Sequence, residues 1–278
     1  MNKDKLTSLC HKISKETGLT FNSIMTQYFL ETILNRLALS KYNGNLIFKG
    51  GFILSNLLGL ETRSTVDIDF LITKMEMSEK QIKILIEEAL INNFDGNIIY
   101  NIQKIKEIKE QDQYGGFRVI IICKLENIRQ VIPLDIATGD VVIPYPKTYL
   151  YNSSFGLKNI EIKAYPIETI ISEKLQIIYS KGFLNSRSKD YYDLHIIYNL
   201  KRNEINFDIL KEACKKTFNY RNTDLDYNDI HKFLENIRED KYFRKRWEVY
   251  ERRNSYVRGT KFEMVINSIL NLLRLIED

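Results

Sequence analysis

The period of apolar and polar positions changes several times along the chain, and each change marks an element. Ile24, Met25, Tyr28, Phe29, Leu34 and Leu37 recur at helical spacing and predict a helix from Ile24 to about Lys41, capped by Asn22 or Ser23. A short polar helix over residues 1–18 precedes it and ends near Gly18. Asn45 to Lys49 reads as a strand, Phe52–Leu58 as one or two buried helical turns closed by Gly59, and Val66–Ile72 as a second strand. Ser78–Asn92 is amphipathic, Asn97–Lys109 alternates as a strand, and Gln111–Gly116 is a polar loop. Phe117–Leu125 and Ile128–Ala137, split by Glu126-Asn127, form a hairpin. Residues 141–165 show little periodicity and read as an extended crossing, with Ile160–Ala164 as the last strand. Pro166 opens a helix over Ile167–Ser180 by sitting in its first turn, Ser188 caps another over Lys189–Leu200, and Met264–Ile276 closes the chain as an amphipathic helix.

Several polar residues interrupt this pattern. In the second strand Asp67 and Asp69 are two apart, so both carboxylates point to one face while Val66, Ile68 and Phe70 point to the other. Adjacent carboxylates repel, and a hard divalent cation with oxygen ligands is the usual compensation. Just upstream, Gly50-Gly51 lets the backbone approach a phosphate, and the helix N-terminus that follows supplies free N–H donors. Asp135 sits between Leu134 and Ile136 in an otherwise apolar strand; it is either an edge charge facing water or a third ligand beside the first two. Asp140, in Thr138-Gly139-Asp140, reads as a turn residue.

Lys174 falls inside the apolar arc formed by Ile167, Ile170, Ile171, Leu175, Ile177 and Ile178. Such a lysine either snorkels to water or reaches an anion, here a triphosphate or the carboxylate cluster. Asp190 and Asp193, three apart on the next helix, either complement the helix dipole or need a partner, which Arg187 or Lys189 could supply.

Composition narrows the class. With 44% hydrophobic and 28% charged residues, the 278-residue chain is that of an ordinary soluble globular protein. No apolar run approaches the roughly 18 residues of a membrane span, and the polar N-terminus has no secretory signal, which predicts a cytoplasmic protein. Cys10, Cys123 and Cys214 are isolated, and His11, His195 and His231 lack ligand spacing, so reduced thiols are expected and a His/Cys zinc site is not. Walker A and GxGxxG loops are absent. The net charge of +5 is concentrated: residues 236–262 hold nine Lys/Arg against four acids, leaving 32 of each sign elsewhere. Within that stretch Arg244, Arg246, Trp247, Arg252 and Arg253 offer cations beside an aromatic, which suits RNA; the alternative is a solvated helix face.

LIFKGGFIL, RSTVDIDFL, VIPLDIATGDVV and AYPIETIISEKLQIIYSKGFLNSRSKDYYDL together resemble the nucleotidyltransferase toxins of the AbiEii/AbiGii family, which belong to type IV toxin–antitoxin and abortive-infection systems. The family's usual Gly-Ser is Gly50-Gly51 here, so a phosphate would be held by backbone rather than by a hydroxyl. The resemblance implies an α+β fold: a DNA polymerase β-like core with a mixed sheet and flanking helices over residues 43–165, N-terminal helices over 1–42, and a helical C-terminal domain over 166–278 that completes the active site. It implies Mg²⁺ (Mn²⁺ as the alternative) on Asp67, Asp69 and Asp135, with Lys174 and Asp190 also catalytic. The NTP donor would lie on Gly50, Gly51, Arg63, Thr65, Lys174, Arg187 and Asp193. The implied reaction moves an NMP to an RNA hydroxyl, with a tRNA 3′ end as the leading acceptor, and arrests growth or blocks phage unless an antitoxin encoded alongside counters it. Two other readings stay open: a small molecule or protein side chain as acceptor, and a non-catalytic nucleotide- or RNA-binding module.

Overall fold

Seven strands form one mixed sheet in the order β3-β4-β5-β2-β1-β7-β6. They are β1 (Leu46–Lys49), β2 (Ile68–Ile72), β3 (Ile98–Ile108), β4 (Gly116–Leu125), β5 (Ile128–Ala137), β6 (Lys147–Tyr151) and β7 (Ile160–Ala164). The computed structural model describes residues 1–90, 97–108, 115–158 and 160–277. Most of the loop expected at Gln111–Gly116, and the last two residues of the helix expected at Ser78–Asn92, lie outside them. Parallel pairing joins β2 to β5 and β1 to β7, and the other neighbours are antiparallel. The α+β class and the mixed sheet with flanking helices are therefore as the resemblance implied.

Two compact units divide the chain, residues 1–140 with 146–165 and residues 141–145 with 166–278. The first holds the whole sheet with α1 (Lys3–Thr17), α2 (Phe21–Leu39), α3 (Gly50–Leu58) and α4 (Glu79–Leu90). α2 starts earlier than its periodicity suggested. Thr20 is the residue with extended backbone, and its Oγ1 accepts a hydrogen bond from the Ser23 amide at 3.1 Å, so Asn22 and Ser23 lie inside the first turn. Nearly all of α2 is buried, because it packs against α1 and α4 and also against strands β5 and β7. Its polar side chains are accordingly satisfied inside. Glu31, fully buried, accepts from the Ser154 amide at 3.1 Å and from the Ser153 and Tyr151 hydroxyls, and burial pushes its carboxyl pKa up.

The edge strand β6 was not expected. Leu150 is exposed on it and only Tyr151 is buried, so it carries too little apolar alternation to announce itself. β2 is shorter than expected, and Val66 lies before it, exposed rather than on the apolar face with Ile68 and Phe70.

The second unit is helical: α5 (Ile167–Lys181), α6 (Ser188–Lys201), α7 (Phe207–Tyr220), α8 (Tyr227–Glu239), α9 (Lys241–Arg253) and α10 (Phe262–Glu277). Pro166 occupies the cap of α5, with extended ψ, rather than its first turn, and Ser188 is the first residue of α6 rather than its cap. Asp240 ends α8 and caps α9, accepting from the amides of Tyr242 at 2.8 Å and Phe243 at 2.9 Å. α10 packs against α6, α7 and α8. All three cysteines are free and buried, and burial pushes their thiols up to about 11 for Cys10 and about 12 for Cys123 and Cys214, which makes them poor nucleophiles.

Candidate active site

The β1–α3 junction turns at Gly50, whose φ of +72° an L side chain rarely adopts. A second constraint is spatial. A Cβ at Gly50 would lie 2.0 Å from Asp69 Oδ2, and one at Gly51 would lie 2.7 Å from Arg63 Nη2 and 3.1 Å from Thr65 Oγ1. The double glycine is therefore a hollow, occupied at one residue by a carboxylate and at the other by the buried Arg63 and the Thr65 hydroxyl.

Strand pairing assembles the acids. β2 and β5 run parallel with Asp69 directly opposite Asp135, so both side chains leave the sheet on one face. Asp67, two residues before Asp69, joins them, and its Oδ1 accepts from the Thr65 hydroxyl at 2.6 Å. One carboxylate oxygen from each of the three lies within 4.8 Å of the other two. This is the trio read from the sequence. All are oxygen donors, partly open to solvent, and their mutual repulsion is relieved by a cation, so the donor set fits a hard divalent metal ion.

Two cations that the sequence reading passed over stand at this cluster. Arg118 on β4 is paired opposite Asp135 and holds it by a two-pronged contact, Nε to Oδ1 at 2.6 Å and Nη2 to Oδ2 at 2.5 Å. Its side chain is about half exposed (47%), so it can leave when Asp135 takes another cation. Lys49 on β1 is opposite Asp69 in register, but its ammonium bonds to the carboxylate of Asp140, which also accepts from the Tyr165 hydroxyl at 3.2 Å. Asp140, expected as a turn residue rather than a ligand, anchors the lysine that leads into the glycine pair.

In the helical unit Lys174 does not snorkel. Its ammonium, on a side chain only 12% exposed, lies 2.9 Å from Asp190 Oδ1 and 2.7 Å from Asp193 Oδ2. The i, i+3 spacing of the two acids on α6 turns both toward α5. Burial by itself would depress the lysine pKa, but the charges of Asp190 and Asp193 and the hydrogen bonds to them outweigh it, and the net shift is upward. Arg187 Nε is 3.6 Å from Asp190 Oδ2, a buried oxygen with no hydrogen-bond partner among the described residues.

The basic segment is sorted by the phase of α9. Trp247 is buried, with its indole N–H donated to the Thr260 carbonyl at 2.6 Å, so it has no free face for a base. Arg244 is ion-paired with Glu239, and Arg252 is exposed. Arg246 and Arg253 line a cavity.

A mixed sheet that brings three carboxylates beside a glycine-opened helix is the arrangement of a nucleotidyltransferase, and solved structures share the fold. One is a protein from H. pylori assigned as a nucleotidyltransferase, with a TM-score of 0.57 at 18% identity over 93% of this chain and 96% of that one. Another is JHP933 from Helicobacter pylori, with a TM-score of 0.55 at 18% identity over 93% of each chain. The chain belongs to the nucleotidyl transferase AbiEii toxin family of type IV toxin–antitoxin systems, whose sequence pattern matches residues 32–267. Membership implies a cognate antitoxin. No match is found among curated proteins. Among the described residues no helix is long and apolar enough to cross a membrane.

Proposed function

We propose that the chain transfers a nucleoside monophosphate from an NTP to a hydroxyl of RNA, with a tRNA 3′ end as the leading acceptor, releasing pyrophosphate and so arresting growth or blocking phage. The observation that carries this reading is the contact between the two halves of the site: the Asp69 carboxylate fills the hollow left by Gly50, at the N-terminus of α3. A metal held by acids and a phosphate held by backbone amides would then be neighbours.

Asp67, Asp69 and Asp135 are the residues that would hold Mg²⁺ or Mn²⁺. A bound ion would neutralise triphosphate charge and make the acceptor hydroxyl easier to deprotonate. The Thr65 hydroxyl orients Asp67, and Arg63 backs Gly51 so that the amides of the turn keep their direction. Arg118 holds Asp135 and must yield it when a metal is taken up. The resemblance assigns Lys174, Asp190, Arg187 and Asp193 to the nucleotide and the chemistry. What supports it is a buried ammonium on two carboxylates, with one Asp190 oxygen unsatisfied.

Sequencing RNA 3′ ends after brief expression tests the acceptor. Untemplated nucleotides are expected on RNA, tRNA foremost, from cells expressing the native chain and not from cells expressing Asp69→Asn. Growth arrest with unchanged RNA ends would overturn the RNA acceptor and favour a small molecule or a protein.

A further inference from the structure

Winding residues 241–253 into α9 separates the aromatic and basic positions that the linear sequence interleaves. Phe243 and Trp247 face inward, while a stripe at i, i+3, i+4 spacing, from Tyr242 through Lys245 and Arg246 to Tyr250 and Arg253, lines a cavity of about 570 Å³. Residues 186–189, where α6 begins, form its other wall and add Arg187 and Lys189. The volume lies in the range of small-ligand sites.

Among the described residues five cations and no carboxylate line this cavity. Of the four acids of the segment three are engaged elsewhere: Glu239 pairs with Arg244, Asp240 caps α9, and Glu251 accepts from the Gly259 amide at 2.8 Å; the fourth, Glu248, is exposed and not part of the cavity lining. Among the described residues Lys189, Lys245 and Arg253 have no ion pair, whereas Arg187 leans toward Asp190. Like charges gathered in a concave site focus a positive potential that an anion would relieve. Arg246 adds a flat platform, since its guanidinium lies 4.2 Å from the Tyr242 ring centroid and is held by a hydrogen bond to the Asn185 carbonyl at 2.8 Å. Tyr242 is itself 62% exposed.

The layout distinguishes between anions. A free nucleotide gathers its negative charge at one end. Lys245 and Arg253 stand two turns apart, about 12 Å along the helix, and Lys189 lies on the opposite wall. Cations spaced along a groove, with an aromatic platform among them, are how proteins hold single-stranded nucleic acid: the backbone follows the charges and a base stacks on the ring. We propose that this cavity binds a single-stranded segment of RNA, one base on the Tyr242–Arg246 platform and successive phosphates on Lys245, Arg253 and Lys189. The proposal rests on the RNA-acceptor reading and adds the surface that would grip the acceptor.

Fluorescence anisotropy with a 12-nucleotide single-stranded RNA, on the full chain and across a salt series, tests it, with a fluorescent NTP analogue measured in parallel. Lys245→Glu combined with Arg253→Glu is expected to weaken RNA binding at least about tenfold and to lower the salt slope by roughly 1.4, for two lost phosphate contacts. Tyr242→Ala is expected to weaken it by about tenfold through lost stacking. NTP affinity is expected to stay unchanged in both, as is the thermal unfolding midpoint. Arg252→Glu, exposed and outside the cavity, serves as the charge control and is expected to change RNA affinity less than about twofold. If the native chain extends RNA but the cavity variants bind it normally, or Arg252→Glu weakens binding as much as they do, the cavity assignment is overturned and the RNA-acceptor reading stands. Loss of NTP binding instead makes the cavity a nucleotide site and also overturns it. A native chain that neither binds nor extends RNA overturns both.

Discussion

Asp69→Asn is expected to lower nucleotidyl transfer by about a thousandfold. A metal ion held at the reacting phosphate is worth several kcal/mol of transition-state stabilisation, and each ~1.4 kcal/mol is a factor of ten in rate. Asparagine keeps the volume that fills the hollow at Gly50, so the variant removes charge and leaves the packing in place. Stability should move the other way. Asp67, Asp69 and Asp135 crowd their oxygens within 4.8 Å, and deleting one of three like charges relieves repulsion. Incorporation of labelled nucleotide at saturating NTP, run beside a thermal unfolding curve, checks both halves. A variant that retains more than a tenth of native activity would remove Asp69 from the reaction. A variant that has lost activity because it is unfolded would betray itself in the melting curve.

Lys174→Met is expected to cost about 3–5 kcal/mol of folding stability, the penalty for leaving buried acids without their cation. Asp190 and Asp193 are 4% and 0% exposed in their side chains, so water cannot replace the ammonium. Combining Lys174→Met with Asp190→Asn and Asp193→Asn should recover most of the loss, since removing every charge of a buried set is often nearly neutral. Urea denaturation of the native, single and triple variants reads the difference. The pH dependence carries a sign. The folded-state pKa of Lys174 is raised above the ordinary lysine value of 10.5, so the contribution of the lysine is fully present below that pH. It is lost as pH rises through the folded-state value, and the triple variant should lack this alkaline loss. Equal stability of native and single variants would mean that the acids are protonated or hydrated in the folded chain.

The differences between sequence and structure have identifiable causes. Asp67 and Asp69 were legible because a strand alternates faces, and Asp135 because an acid between Leu134 and Ile136 conflicts with its strand. Lys174 was legible for the same reason on a helix, but its partners were less so: Asp190 and Asp193 each had an ordinary alternative as acids near the N-terminus of α6 that complement its dipole. Arg118 looks like any exposed strand arginine, yet a signal was present. The two-residue turn Glu126-Asn127 fixes the hairpin register, Leu125 opposite Ile128, and counting outward places Arg118 opposite Asp135. The Lys49–Asp140 contact had no such signal, because it depends on where the backbone goes after β5, at Gly139 with its φ of +88°. Trp247 was offered as an RNA contact on composition, where the helical phase it shares with Phe243 four residues earlier marks it as core. The same phase turns Tyr242 and Arg246 to the cavity wall.

The central claim is that the carboxylate site moves a nucleoside monophosphate onto RNA, not a terminal phosphate. It is tested most directly by incubating the purified chain with Mg²⁺, total RNA and an NTP labelled in either the α- or the γ-phosphate. The α-label is expected in RNA and the γ-label in released pyrophosphate, with neither product formed by Asp69→Asn. Label from the γ-position in RNA, or no labelled RNA from any of the four NTPs, would contradict it.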